Sequence, residues 1–470
     1  MTDAFHWLCE INKASAVMTV ERGIVPKTLA APIAYAIAEV IGAGAKPGAE
    51  RPGDYLKLEA MLIAAGGPDV TRVHSGRSRQ DINATFGRLF LREDLLATSA
   101  ALNGARDALL TLAEAHADAI IPAYTWGVQA QPTSLGHWLG AYAAALARTA
   151  ERMRQAYARV NLCPLGSAAL GTSSFPVDRP RLAELLGFDG VAENSFDATQ
   201  ISAVDLRAEA CQVASTAGLT IGMLIADITQ QYAQTRPWLM LNQGAQTGVS
   251  SIMPQKRNPS GLVWLRKLAS TVAGGATTFA FHAHNVASGM HDYKPEGPDP
   301  LLRDTERMFN DLAVLLPVLR FDAGRALDEV NAEYSTTTEL ADVLQRDADI
   351  PFRAGHHFAS DLVSFGRANH LRPGEIPYTE AQRLYAQTAA AFGLPTALPL
   401  TEAGFRRALS AEGMVRASQG LGGPQPAEVA RMLIGHRNGL ATDRNWVAAA
   451  RDRLTQGAVK RDVAFGALQS

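Results

Sequence analysis

The sequence predicts a mainly α-helical protein. Two observations carry that reading: the middle of the chain repeats apolar residues at helical spacing over long stretches, and alternating strand-like runs are scarce. The first long stretch covers 81–118, with Ile82, Phe86, Leu89, Leu95 and Leu96 on its apolar side. Ser78 and Asp81 stand where a capping box would start it. A second stretch begins after Pro132 and runs past Met153 toward Val160, and its Gly140, Ala141 and Ala143 suit close helix packing. A third spans 203–234. A fourth follows Asn258, with Leu262, Val263, Leu265, Leu268 and Val272 apolar. Segments this long exceed the usual globular helix and point to a bundle or an oligomeric core. The Gly- and Pro-containing stretch 288–300 reads as a loop.

Composition narrows the class. A chain of 470 residues has room for more than one domain. Its 47% hydrophobic and 19% charged residues fall in the globular range. A net charge of −2 gives no reason to expect nucleic-acid or membrane partners. The N-terminus lacks the basic segment and apolar core of a signal peptide. The apolar run around 219–228 is interrupted by Thr220, Gly222 and Asp227, so no membrane span is expected. Cys9, Cys163 and Cys211 show no metal or redox spacing. A reduced, cytoplasmic protein without metal or cofactor is the expectation.

The most informative segment is Ser250-Ser251-Ile252-Met253-Pro254-Gln255-Lys256-Arg257-Asn258-Pro259. It is a hydroxyl-rich loop with one lysine, ending in what reads as an N-cap, Asn258, and a first helical residue, Pro259. A serine, a lysine and an asparagine would gather where a helix start offers free N–H groups and positive potential. That setting suits a carboxylate or an oxygen that must become anionic.

This decapeptide resembles the signature of the fumarase/aspartase superfamily, Ser-Ser-x-Met-Pro-x-Lys-x-Asn-Pro. His74-Ser75-Gly76-Arg77-Ser78-Arg79-Gln80-Asp81 is similar to the His-Thr-Gly-Arg-Ser-Arg-Asn-Asp loop of argininosuccinate lyases. Pro164-Leu165-Gly166-Ser167, Pro351-Phe352-Arg353 and Gly422-Gly423-Pro424 fall in the same order as in that branch. The resemblance implies a three-domain fold: an N-terminal helical domain 1–77, a central helix-bundle domain 78–333 and a C-terminal helical domain 334–470. It implies a homotetramer with a 20-helix core and active sites shared between subunits.

The resemblance also implies a chemistry. A proton leaves the carbon beside a carboxylate, the charge spreads into that carboxylate as an aci-carboxylate, and a group departs from the neighbouring carbon. Ser250 matches the general base, with Ser251 beside it as the competing choice. Lys256 and Asn258 match the positions that stabilise the developing dianion. Ser78, Arg79, Gln80, Thr125, Gln131, Ser251 and Met253 match substrate-binding positions. Arg77 reads as a turn-tying arginine.

Several positions depart from the family pattern. Trp126 stands where a histidine is usual, and Val263 where that histidine's glutamate is usual. Their joint change reads as a polar pair replaced by a packed apolar pair. A Tyr-…-Gln-x-x-Lys stretch that contacts arginine is absent. Pro295 and Pro298 fall at its Gln and Lys, or Tyr293 takes the tyrosine's place if the register slips. Near the N-terminus, Glu10-Ile11-Asn12-Lys13-Ala14 replaces Asp-Ile-x-Gly-Ser. These changes point to a carbon–nitrogen lyase that releases fumarate from an N-succinyl amine other than argininosuccinate, similar to lyases of aminopolycarboxylates. A genuine argininosuccinate lyase, a cycloisomerase-like enzyme and a catalytically silent crystallin-like relative remain as alternatives.

Overall fold

The computed structural model describes residues 3–294 and 297–470. It is built on five long helices. The first, Arg79–Ala115, has 37 residues and reaches about 55 Å at 1.5 Å per residue. It starts where the sequence places it: Ser78 is extended, its hydroxyl accepts from the Gln80 N–H at 3.4 Å, and the Asp81 carboxylate accepts from the Ser78 N–H at 2.7 Å. The others are Leu135–Val160, Ser202–Gln230, Ser260–Ala283 and Pro300–Leu315. One core, including Leu95, Leu102, Leu146, Ile221, Leu265 and Phe309, joins all five.

Arg88 shows how charge is spent inside this bundle. Its guanidinium donates to the carbonyls of Arg159, Val160 and Leu162 and to the Ser202 hydroxyl at 2.7 Å. One buried cation thus caps the C-terminal end of one helix and ties down the start of the next. The close approach of Ser202–Gln230 and Ser260–Ala283 depends on Gly218, where an added Cβ would lie 2.7 Å from the Ala269 carbonyl and 2.8 Å from the Ala273 nitrogen.

A second core packs Ala4–Glu21 and the following short helices against the first turns of Arg79–Ala115 and against 163–188. A third lies within 340–409 and includes Leu340, Phe358, Leu362 and Phe405. The last helix, Pro426–Gly466, does not join that third core. Val429, Leu433, Leu440 and Ala450 return to the bundle. Asp443 accepts from the buried Arg106 at 2.6 Å. Domain boundaries near 77 and 333 remain our proposal, with the final helix lying along the bundle.

Two expectations change. The helical run Asp197–Ala233 contains an 18-residue window long and apolar enough to cross a membrane by length and composition. Half of that window is buried within the chain, and Ile221, Leu224, Ile225 and Ile228 belong to the bundle core. The second change concerns the fourth helix, which begins at Ser260, with Pro259 at the cap and no side-chain cap bond. The residue before a proline is driven to extended backbone. Asn258 therefore pairs as a strand residue with Gly248 instead of capping the helix.

Among the described residues, strand is confined to four two-stranded pairs. One of them, the hairpin Ile120–Thr125 with Val128–Ser134, carries expected site residues.

Gly218→Ala tests the bundle. A methyl group there gains about 1 kcal/mol of helix propensity but meets backbone it cannot displace, at a cost of about 1–3 kcal/mol. Urea denaturation is expected to show a net loss of stability.

Candidate active site

Three segments carry the expected residues. The first is the Ser78 loop. Arg77 is buried and donates to the Ser15 hydroxyl at 2.7 Å, to Asn12 Oδ1 at 2.5 Å and to the Tyr55 hydroxyl at 3.2 Å. It ties the loop to the N-terminal helix. His74 stacks on Tyr55 with centroids 4.7 Å apart, and its Nδ1 accepts from Arg77 Nε at 3.2 Å. Burial, and then the neighbouring Arg77 charge, push the His74 pKa down to about 4. Asp81 reaches in the other direction: its second oxygen accepts from the Gly166 and Ala168 N–H groups at 2.8 and 3.1 Å. Ser78, Arg79 and Gln80 are left on the first turn. Arg79 pairs with Asp54 at 3.1 Å, and Gln80 Oε1 accepts from Lys294 Nζ at 2.6 Å.

The second segment is the hairpin. Thr125 and Gln131 are both exposed, and Gln131 pairs with Ala123. Trp126 and Gly127 take φ of 55° and 75° at its tip, the two left-handed residues of a tight two-residue turn. Trp126 is 102% exposed and Val263 44% exposed. The expected packed apolar pair therefore does not exist within one chain: the turn holds Trp126 out in solvent. The hairpin is anchored from outside by Tyr124, which donates to Glu329, and by Gln129, which donates to the Val330 carbonyl and the Ser335 hydroxyl. The sequence reading missed these anchors and the hairpin itself.

The third segment is the decapeptide, folded as the tip of the short hairpin Gly248–Val249 with Arg257–Asn258. Ser250 Oγ accepts from the Met253 N–H at 3.1 Å and from the Ile252 N–H at 3.5 Å. The loop's own amides thus converge on the expected base. Lys256 is exposed, and its ammonium makes no hydrogen bond among the described residues. Ser251 and Met253 are exposed on the same tip. Arg257 buttresses the loop by donating to the Pro254 and Lys256 carbonyls. A cavity of about 460 Å³ flanks it, lined in part by Thr247, Gln255, Arg257 and Arg320.

No hydrogen bond joins these three segments within one chain among the described residues. The 288–300 loop meets only the first. Tyr293 is buried, its hydroxyl accepting from the Gly289 N–H at 2.8 Å and donating to the Gln200 carbonyl at 3.3 Å. Its ring and its hydroxyl are thus both engaged inside the chain. Pro298 is partly buried, and Pro295 lies outside the described residues. No group of three His, Cys, Asp or Glu among the described residues could hold a metal ion.

Comparison with known proteins identifies the family and the fold. A family model described as lyase matches residues 37–274, and one described as argininosuccinate lyase C-terminal matches 334–416. The chain is 33% identical over 464 residues to the argininosuccinate lyase of Methanoculleus marisnigri, covering 96% of this chain and 92% of that one. It superposes on EDDS lyase in complex with formate with a TM-score of 0.88 at 29% identity, covering 99% and 92% of the two chains. An EDDS lyase variant with bound fumarate superposes equally well, at the same identity and coverage. Fold and motif loop together define a mainly α-helical carbon–nitrogen lyase. The chain belongs to the argininosuccinate lyase branch of the fumarase/aspartase superfamily.

His74 yields a pH prediction. Its folded pKa lies below the unfolded value, so the unfolded chain takes up the proton first, and stability present above about pH 6.5 falls as pH drops toward 4. His74→Asn keeps an acceptor for Arg77 and has no proton to gain. Its urea midpoint should change less between pH 7.5 and 5 than the wild type's.

Proposed function

We propose that this lyase eliminates fumarate from an N-succinyl amine other than argininosuccinate, with Ser250 as general base. The observation that carries the reading is the motif loop, where backbone N–H groups converge on Ser250 Oγ. Those donors favour the anionic form of a hydroxyl that is otherwise far too weak an acid at neutral pH. Ser250 takes the proton from the carbon beside the carboxylate. Lys256 and Asn258 stabilise the aci-carboxylate that results. Collapse of that carboxylate forms the double bond and expels the amine from the adjacent carbon. A secondary amine already protonated at neutral pH departs as a neutral amine without an enzyme acid, which accommodates tryptophan at position 126.

The leaving-group side supports an amine other than arginine. Tyr293 is consumed internally, and the Pro298 side chain has no acceptor for a guanidinium. Fumarate bound in the EDDS lyase variant supports a dicarboxylate product in this fold. The test is to incubate the protein with fumarate and a panel of amines, following fumarate absorbance, with argininosuccinate cleavage assayed in parallel. Addition to aminocarboxylates and slow argininosuccinate cleavage are expected. Rapid argininosuccinate cleavage would overturn the substrate assignment.

We also place the site between subunits of a homotetramer. The three segments lie apart within one chain, and the bundle helices present Leu219, Met223, Trp264 and Phe281 at 62–75% exposure. Exposed large apolar side chains on two packed bundle helices suit association. Ser250→Ala should lower turnover by about 10²–10⁴-fold. When Ser250→Ala and Thr125→Val subunits are unfolded and reassembled together, on the order of a quarter of the sites should regain every residue if chains assort randomly. Each parent reassembled alone should stay nearly inactive. No recovery in mixtures shown by mass measurement to contain hybrids would place both residues in one chain's site.

A further inference from the structure

Gln80 replaces the asparagine usual in its loop, and the structure gives that longer arm a partner. Lys294 Nζ lies 2.6 Å from Gln80 Oε1 and 3.4 Å from the Gly289 carbonyl. An ammonium can only donate, so it fixes which end of the carboxamide faces it. With the oxygen held by Lys294, the amide nitrogen of Gln80 occupies the other arm of the carboxamide, turned away from the lysine. A side chain one methylene shorter would end about 1.5 Å earlier and leave the lysine out of reach.

Lys294 itself has little freedom. The buried Tyr293 beside it is fixed at its hydroxyl from two sides. Arg207 donates to Asp299 at 2.6 Å and to the Tyr293 carbonyl at 3.4 Å. The Asp299 N–H in turn donates to Asp94 at 2.7 Å on the long helix. The loop is thus pinned on both sides of position 294. Burial also pushes the Lys294 pKa below the ordinary lysine range.

We infer that Lys294 is a positioning residue that sets the amide orientation of Gln80, so that this subsite presents N–H donors to a carboxylate of the substrate. The inference rests on the proposed function and gives one of its binding residues a defined polarity. Without Lys294 the Gln80 carbonyl can turn to that side, where it repels the carboxylate in place of a donor.

The test uses the assembled protein and fumarate alone as the probe, with affinity measured by titration calorimetry. Lys294→Met should weaken fumarate binding about 10-fold, the worth of one oriented hydrogen bond to a charged group, with an unaltered melting temperature. Lys294→Arg keeps a cationic donor and should bind within about 3-fold of wild type, a rescue that loop packing alone does not predict. Gln80→Asn should lose as much as Lys294→Met, and the double variant should lose no more than either single variant, because both act through one amide. Unchanged affinity in Lys294→Met, or losses that multiply in the double variant, would overturn the inference. Should Lys294→Met fail to fold, Lys294→Arg in wild-type and Gln80→Asn backgrounds decides the matter: matching affinities in the two backgrounds overturn it. Wild-type protein with no affinity for fumarate would instead sink the proposed function itself.

Discussion

A single buried carboxylate organises this side of the molecule. Asp81 sits in the first turn of a 37-residue helix and accepts three backbone N–H groups, from Ser78, Gly166 and Ala168. Burial alone would favour its neutral form and lifts its pKa to about 6, while the three donors pull the other way. From Asp81 the contacts run in a ring. The strip it holds at 166–168 continues to Ala169, whose carbonyl accepts from Gln200 Nε2 at 3.1 Å. The Gln200 carbonyl accepts from Tyr293. Lys294, next in sequence, reaches back to Gln80 beside Asp81. Losing the carboxylate would leave buried N–H groups without partners, at about 1–3 kcal/mol each, and would release the segments that place Gln80 and Lys294.

The motif loop is built on the opposite principle. It is exposed, short-paired and held by its own backbone: two strand residues on each side, the Ser250 turn and the Arg257 buttress. Such a loop can present reacting groups outward at little internal cost, but it cannot exclude water from them. The Thr125 hairpin has the same character, with Trp126 standing fully in solvent at a φ that bulky residues rarely adopt. A turn strained in this way is retained where its tip has work to do. Two outward-facing tips and an apolar bundle face form a consistent set of features for a site completed by association, which is the basis of the proposed shared site.

What was legible in the sequence follows from which forces act locally. The long helices could be read because their apolar periodicity and the Ser78/Asp81 cap are local signals. The start of the fourth helix was misplaced by one residue because the constraint of proline on Asn258 outweighed its capping preference. The hairpin at 120–134 was missed because it contains two prolines and is held by Glu329, Val330 and Ser335, some two hundred residues away. The final 41-residue helix carries only a sparse set of apolar contacts and is anchored by ion pairs such as Arg106 with Asp443. Among the site residues, the motif members could be read by position. Lys294 could not, because nothing in the sequence says that a loop lysine will meet a glutamine 214 positions away.

The departures from the family pattern acquire a common physical meaning. Glu10 and Lys13, which replace part of an N-terminal recognition motif, are spent on the C-terminal helix. Glu10 pairs with Arg461 and with Lys13, and Lys13 also reaches Asp462 at 3.1 Å. Asn12 and Ser15 are held by Arg77. Tyr293 is buried with its hydroxyl engaged. Each of these groups is thus committed to an internal bond, and a buried polar group so committed cannot turn to a ligand without leaving its partner unsatisfied. Ser250, Lys256 and Ser78 carry no such commitment to distant elements: their bonds are to their own turns or absent. The two halves of the site are therefore under different constraints. In the proposed reading, Ser250, Lys256 and Ser78 stay free to meet a dicarboxylate, while the residues that depart from the arginine-reading pattern are held by internal bonds.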